Sequence, residues 1–154
     1  MQKVVDISRF VSLVAFLGVL LFVYAYMPEK VGVAAGENDL PNEFIGKETF
    51  FYLSLGIFLA TNMIFILGMK MMALFPVSDT GFFRNIAFKQ NIIQWFGGLG
   101  IMINLFFISV VAFLGFFNNA DYYHISTFSV FAYVGQALIF IWIVLFFYLL
   151  SKRE

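Results

Sequence analysis

Asn62, Asn104 and Gln136 are residues whose type and depth could do chemistry. Each carboxamide stands well inside a run of apolar residues. A carboxamide that gives up water needs partners for its oxygen and its two N–H groups. At similar depths, the three side chains can bond one another across helices. They can equally line a polar spot for a small ligand or a quinone headgroup. Both readings stay open at this level.

A second set is acidic. Glu37, Asp39 and Glu43 lie close together with Asn38 and Asn42. Oxygen donors of this kind suit calcium, but the spacing is not that of an EF-hand, and Gly36 is out of the turn position. The segment reads first as a solvated acidic loop and second as a cation loop.

The remaining inventory excludes more than it offers. The chain has no cysteine, which removes disulfides, thiolate metal sites and cysteine nucleophiles. His124 is the only histidine and stands among tyrosines beyond the third apolar run, where it reads as an interfacial side chain rather than a haem ligand. No nucleophile–base pair, metalloprotease motif or phosphate-binding loop is present. No Asp, Glu, Lys, Arg or His falls inside an apolar run, where it would mark a proton or ion pathway. No basic block suits nucleic acid. Neither catalysis nor a cofactor is expected.

The elements that must position these side chains follow from composition. Of 154 residues, 62% are hydrophobic and 12% charged, about half the charged share of a soluble domain. Four apolar runs stand out at about 10–27, 50–69, 92–117 and 128–150. Each is long enough to cross a hydrocarbon core of ~30 Å as a helix, the form in which lipid leaves no backbone amide unpaired. The first run exceeds the apolar core of a signal peptide and reads as a true span.

Lys3, Arg9, Lys70, Arg84, Lys89, Lys152 and Arg153 fall on one side of these spans, and only Lys30 and Lys47 on the other. The positive-inside rule puts the seven in the cytoplasm. Loops 28–49 and 118–127 are then external and the link 70–91 internal. In that link, Pro76 ends a helix, Ser78 or Asp79 can cap the next, and Phe82, Phe83, Arg84 and Lys89 suggest an interfacial collar whose basic groups reach headgroups. Gly56 and Ala60 form a small-xxx-small pair for close helix approach, and Gly97, Gly98 and Gly100 thin the third span.

The connector between the first two spans reads MPEKVGVAAGENDLPNEFIGK, residues 27–47. It resembles the corresponding connector of Sdp-immunity-like bacterial membrane proteins. Pro28, Glu29, Val31, Asn38, Pro41 and Lys47 match that pattern. Gly32 stands in place of its second proline, Ala34 in place of its histidine, and Gly46 is shifted by one. The resemblance implies a multi-span inner-membrane protein with a non-enzymatic role such as immunity or signal reception.

The expectation is an all-α membrane protein: a single domain over 1–154, built as a four-span antiparallel helix bundle with both termini cytoplasmic, in a bacterial inner membrane. Its expected role is that of a non-catalytic accessory subunit, with lipid and other membrane subunits as partners. The alternatives are a small-molecule permease or lipophilic-ligand binder using the three amides, and an immunity or signal-reception protein. Partner-contact candidates are Pro28, Glu37, Asp39, Pro41, Phe82, Phe83 and Arg84.

Overall fold

A computed structural model of the chain describes residues 2–35, 41–78, 80–119 and 125–151. The element order is α1 (Gln2–Tyr26), β1 (Lys30–Ala35), β2 (Pro41–Gly46), α2 (Lys47–Leu74), α3 (Ile86–Phe117) and α4 (Ile125–Ser151). All four helices are long and apolar enough to cross a membrane. All four start before the apolar runs do, α1 and α3 by more than a turn, because hydropathy marks only the hydrocarbon-facing part. α3 has 32 residues, about 48 Å at 1.5 Å per residue, more than a hydrocarbon core requires.

α3 is the packing partner of every other helix. It lies against α1, α2 and α4, whereas α4 meets only α3 among the described residues. One core cluster joins Phe16, Leu20, Val23 and Met27 of α1 to Val31 of β1, Phe50 and Phe58 of α2 and Val111 of α3. The Phe16 and Phe58 rings stack with centroids 3.6 Å apart. A second cluster at the opposite end holds Phe83, Phe88 and Ile92, with Met72, Phe146, Leu149 and Leu150 against it. Between lipid-embedded helices such contacts act through close packing rather than through release of water.

Two connections differ from the reading of the sequence as plain loops. β1 and β2 pair as an antiparallel ribbon, with Val31 opposite Ile45 and Gly32 opposite Phe44, and with register shifts near Ala34. Val31 and Val33 alternate with Gly32 and Ala34, the period-2 spacing of a strand. β1 runs on from α1, and Val31 is fully buried in the first cluster, so the ribbon is stitched to the helices. Lys47, at the start of α2, sets its Nζ 4.9 Å from the centre of the Tyr24 ring.

The link between α2 and α3 is also ordered by its own bonds. Pro76 cannot continue a helix and disfavours helical backbone in Phe75, so α2 stops at Leu74. Lys89 Nζ then donates to the carbonyls of Ala73 at 2.6 Å and Phe75 at 2.8 Å. Its expected reach to headgroups is thereby corrected: the ammonium closes carbonyls that the end of α2 leaves open. The N-cap of α3 is Asn85, whose Oδ1 accepts from the Phe88 N–H at 2.7 Å. Ser78 instead sits in a turn seven residues earlier, where its carbonyl accepts from Gly81 N–H. Asp79 lies outside the described residues.

Candidate functional site

The mid-span carboxamides divide. Asn62 of α2 and Asn104 of α3 are 5% and 1% exposed. Asn62 Nδ2 donates to Asn104 Oδ1 at 2.8 Å, and Asn104 Nδ2 returns a bond to Asn62 Oδ1 at 3.1 Å. The spare N–H groups are also used. Asn62 Nδ2 donates to Phe58 O at 3.0 Å, and Asn104 Nδ2 to Ser12 Oγ at 2.9 Å. The Ser12 hydroxyl in turn donates to Arg9 O at 2.8 Å. The result is a chain of bonds through α1, α3 and α2 in which each buried amide has both a donor and an acceptor engaged.

Gln136 is not in this cluster and is exposed on α4, which corrects its expected place; Ser12 takes the third position. The reason is rotational. A Cβ on Gly135 would come within 2.9 Å of the Phe106 backbone, so Gly135 must face α3. Trp142, seven residues on, shares that face, and Gln136 is turned about 100° away from it. Ser12 stands only two residues inside the first apolar run, a place that carries no sign of mid-span depth; it becomes central because α1 begins at Gln2.

The glycines show the same control of approach. On α3, a side chain at Gly97 would press on Val5 of α1 and Met69 of α2, and one at Gly100 on Phe65 of α2. One at Gly98 would collide with the Trp142 ring of α4. Each glycine thus admits a neighbouring helix. Gly56 has open space around its Cβ position, and both it and Ala60 are exposed, so the expected small-xxx-small contact is not made among the described residues.

α3 and α4 are held by reciprocal bonds between tryptophans. Trp95 Nε1 donates to Trp142 O and Trp142 Nε1 to Trp95 O, both at 2.9 Å. A contact 47 residues away leaves no local mark in the sequence. Beside this clasp, α1, α3 and α4 bound a groove of about 540 Å³ lined by Val4, Ser8, Asn91, Gln94, Met102 and Leu145 among others. A second groove of about 400 Å³ lies between α1, α2 and α3, with Asp6, Lys70, Gln90 and Gln94 in its lining. None of Ser12, Asn62 and Asn104 lines either groove.

At the hairpin end, Asn118 forms an amide clamp. The Gly32 N–H donates to Asn118 Oδ1 at 2.6 Å, and Asn118 Nδ2 donates to Gly32 O at 2.9 Å and Leu114 O at 2.9 Å. The side chain acts as a short strand partner for β1 while closing the last turn of α3.

Of the partner-contact candidates, Pro28, Phe82 and Arg84 are exposed and Pro41 is half-buried against Gly32. Phe83 is buried, packed with Phe88 and Ile92, so its expected availability to a partner is corrected. Glu37 and Asp39 lie outside the described residues, and Glu43 is exposed on β2. His124 is likewise outside them. No known protein family, curated protein or solved structure matches the chain.

Proposed function

We propose that this chain is a non-catalytic integral membrane subunit whose work is helix–helix association with other membrane proteins. In this proposal its four helices are antiparallel spans with both termini cytoplasmic, in a bacterial inner membrane. The observation that carries the reading is Gln136. It is exposed about 3 Å from the midpoint of α4, counted at helical rise. It belongs to a stripe of Tyr133, Gln136, Phe140, Val144 and Phe147, all exposed. Spacings of three and four residues put this stripe on one face of α4. A carboxamide facing hydrocarbon is expensive, and a partner helix with a polar group at that depth would relieve it. The ligand-binder alternative loses support, since Asn62 and Asn104 bond each other and line neither groove.

Purification in mild detergent with mass spectrometry of co-purifying proteins tests the proposal. Gln136→Leu should lower recovery of a membrane partner by about three- to thirty-fold, the range for one to a few mid-membrane hydrogen bonds. The proposal fails if the wild-type chain is partner-free and monodisperse and moves or turns over a substrate in liposomes. Single cysteines at Lys3 and Glu43, in a chain with none of its own, check orientation. Only the second should react with an impermeant maleimide in intact cells; labelling of the first overturns the assigned topology.

A further inference from the structure

We propose that the groove between α1, α3 and α4 binds a membrane amphiphile with an uncharged, hydroxyl- or carbonyl-bearing head and one hydrocarbon chain in the groove. Its volume of about 540 Å³ falls within the range of small-molecule sites. α3 forms the floor, and α1 and α4, which do not meet among the described residues, form the walls.

Polarity changes along the groove. On α3, Asn91 and Gln94 lie toward the end where the helix begins, and Ile101 and Met102 line the deeper part. Ser8, between the Val5–Gly97 and Ser12–Asn104 contacts, stands near the level of Gly100. Leu145, next to the Phe146 that packs on Trp95, stands near the shallow end. From Asn91 to Met102 is about 16 Å along α3 at helical rise, roughly one leaflet of a ~30 Å hydrocarbon core. A chain lying there with its head at Asn91 and Gln94 would match the bilayer's own polarity.

The choice of head follows from charge and hydrogen bonding. Among the described residues, no charged side chain lines this groove, so they supply no counter-ion for a phosphate or carboxylate. Ser8, Asn91 and Gln94 form no side-chain hydrogen bonds with the described residues. Asn91 and Gln94, one turn apart on α3, offer donors and acceptors, the set a hydroxyl or carbonyl needs. The two indole N–H groups are committed to backbone carbonyls, so the tryptophans contribute flat apolar surface held in place. A wall fixed before binding lowers the ordering cost of the ligand complex.

Trp95 and Trp142 are the only tryptophans in the chain and both line the groove, so intrinsic fluorescence reports on it. Protein in phosphatidylcholine nanodiscs is titrated with a monoacylglycerol brominated along its chain, and in parallel with an equally brominated phosphatidylglycerol. The expected result is saturable quenching by the neutral lipid and quenching merely proportional to mole fraction by the anionic one. Gln94→Leu should raise the half-saturation point about five-fold, the worth of one hydrogen bond. Met102→Phe, which fills the deep part, should remove the saturable phase while the melting midpoint stays within a few degrees of wild type. Relief of quenching by unlabelled monoacylglycerol, or by a non-fluorescent chain-bearing ketone alone, supports the site and tells hydroxyl from carbonyl heads. Proportional quenching by both lipids, or saturable quenching that neither substitution alters, overturns the proposal.

Discussion

Replacing Asn104 by leucine tests the polar cluster because the two neighbouring amides are coupled. The substitution keeps side-chain volume roughly constant and removes three hydrogen bonds, two with Asn62 and one to Ser12. At about 0.6 kcal/mol for each interhelical bond in a membrane, the direct loss is about 2 kcal/mol. Asn62 keeps its donation to Phe58 O, but its Oδ1 is left without a donor at a site 5% exposed. That orphaned acceptor adds about 1 kcal/mol or more, for a total near 3 kcal/mol. Ser12 still donates to Arg9 O and adds little. Replacing both Asn62 and Asn104 by leucine removes the orphan along with its partner, and removing both members of a buried pair is often close to neutral. Asn62→Leu likewise removes three bonds and orphans Asn104 Oδ1, so the double variant should be more stable than Asn104→Leu alone, a coupling of about 3 kcal/mol against additivity. Equilibrium unfolding of the purified protein in mixed micelles, titrated with dodecyl sulfate, measures all three. A double variant that loses the sum of the two single losses would refute the account, as would an Asn104→Leu protein as stable as wild type.

The α3–α4 contact and the hairpin clamp give two further predictions. Gly98→Ala drives a methyl into the Trp142 ring and should lower stability by about 1–3 kcal/mol, as overpacking does; in a Trp142→Leu background, already weakened by loss of the clasp, the same alanine should cost much less, measured by the same unfolding titration. Asn118→Ala frees the Gly32 N–H and C=O, so amide exchange at Gly32 should accelerate at least about ten-fold, equivalent to about 1.4 kcal/mol of local stability, with mid-helix amides of α3 unchanged; unaltered protection at Gly32 would count against the clamp.

Depth was legible in this sequence and rotation was not. Counting along apolar runs places Asn62, Asn104 and Gln136 near mid-span without any structure. Rotation about a helix axis is normally read from the contrast between a polar and an apolar face. Here Phe, Leu, Ile and Val occupy every side of each helix, and α1 exposes Val11, Val14, Leu21 and Phe22 while burying Phe16 and Leu20. No contrast remains to read. What fixes rotation is where a helix can approach another, through Gly97, Gly98, Gly100 and Gly135, and the partner of a glycine is not written beside it. The same holds for Asn118 and Gly32, 86 residues apart, and for the two tryptophans.

That control of rotation bears directly on the outward carboxamide. α4 is committed to α3 twice, by the backbone approach at Gly135 and by the tryptophan clasp at Trp142. Turning Gln136 inward by about 100° would carry both off the contact. Its amide also sits about 16 Å along the axis from the nearer end of α4, by helical rise, too far for a side chain of three carbons to reach the headgroups. Neither rotation nor snorkelling can relieve it. In the proposed subunit, a hydrogen bond from a partner helix at the same depth, on the face that Phe140 and Phe147 leave open, would relieve it. A single mid-span polar contact flanked by aromatic side chains sets the register of a docked helix more than its affinity. Gln136→Asn, which keeps the amide but shortens its reach, should accordingly retain a partner better than Gln136→Leu.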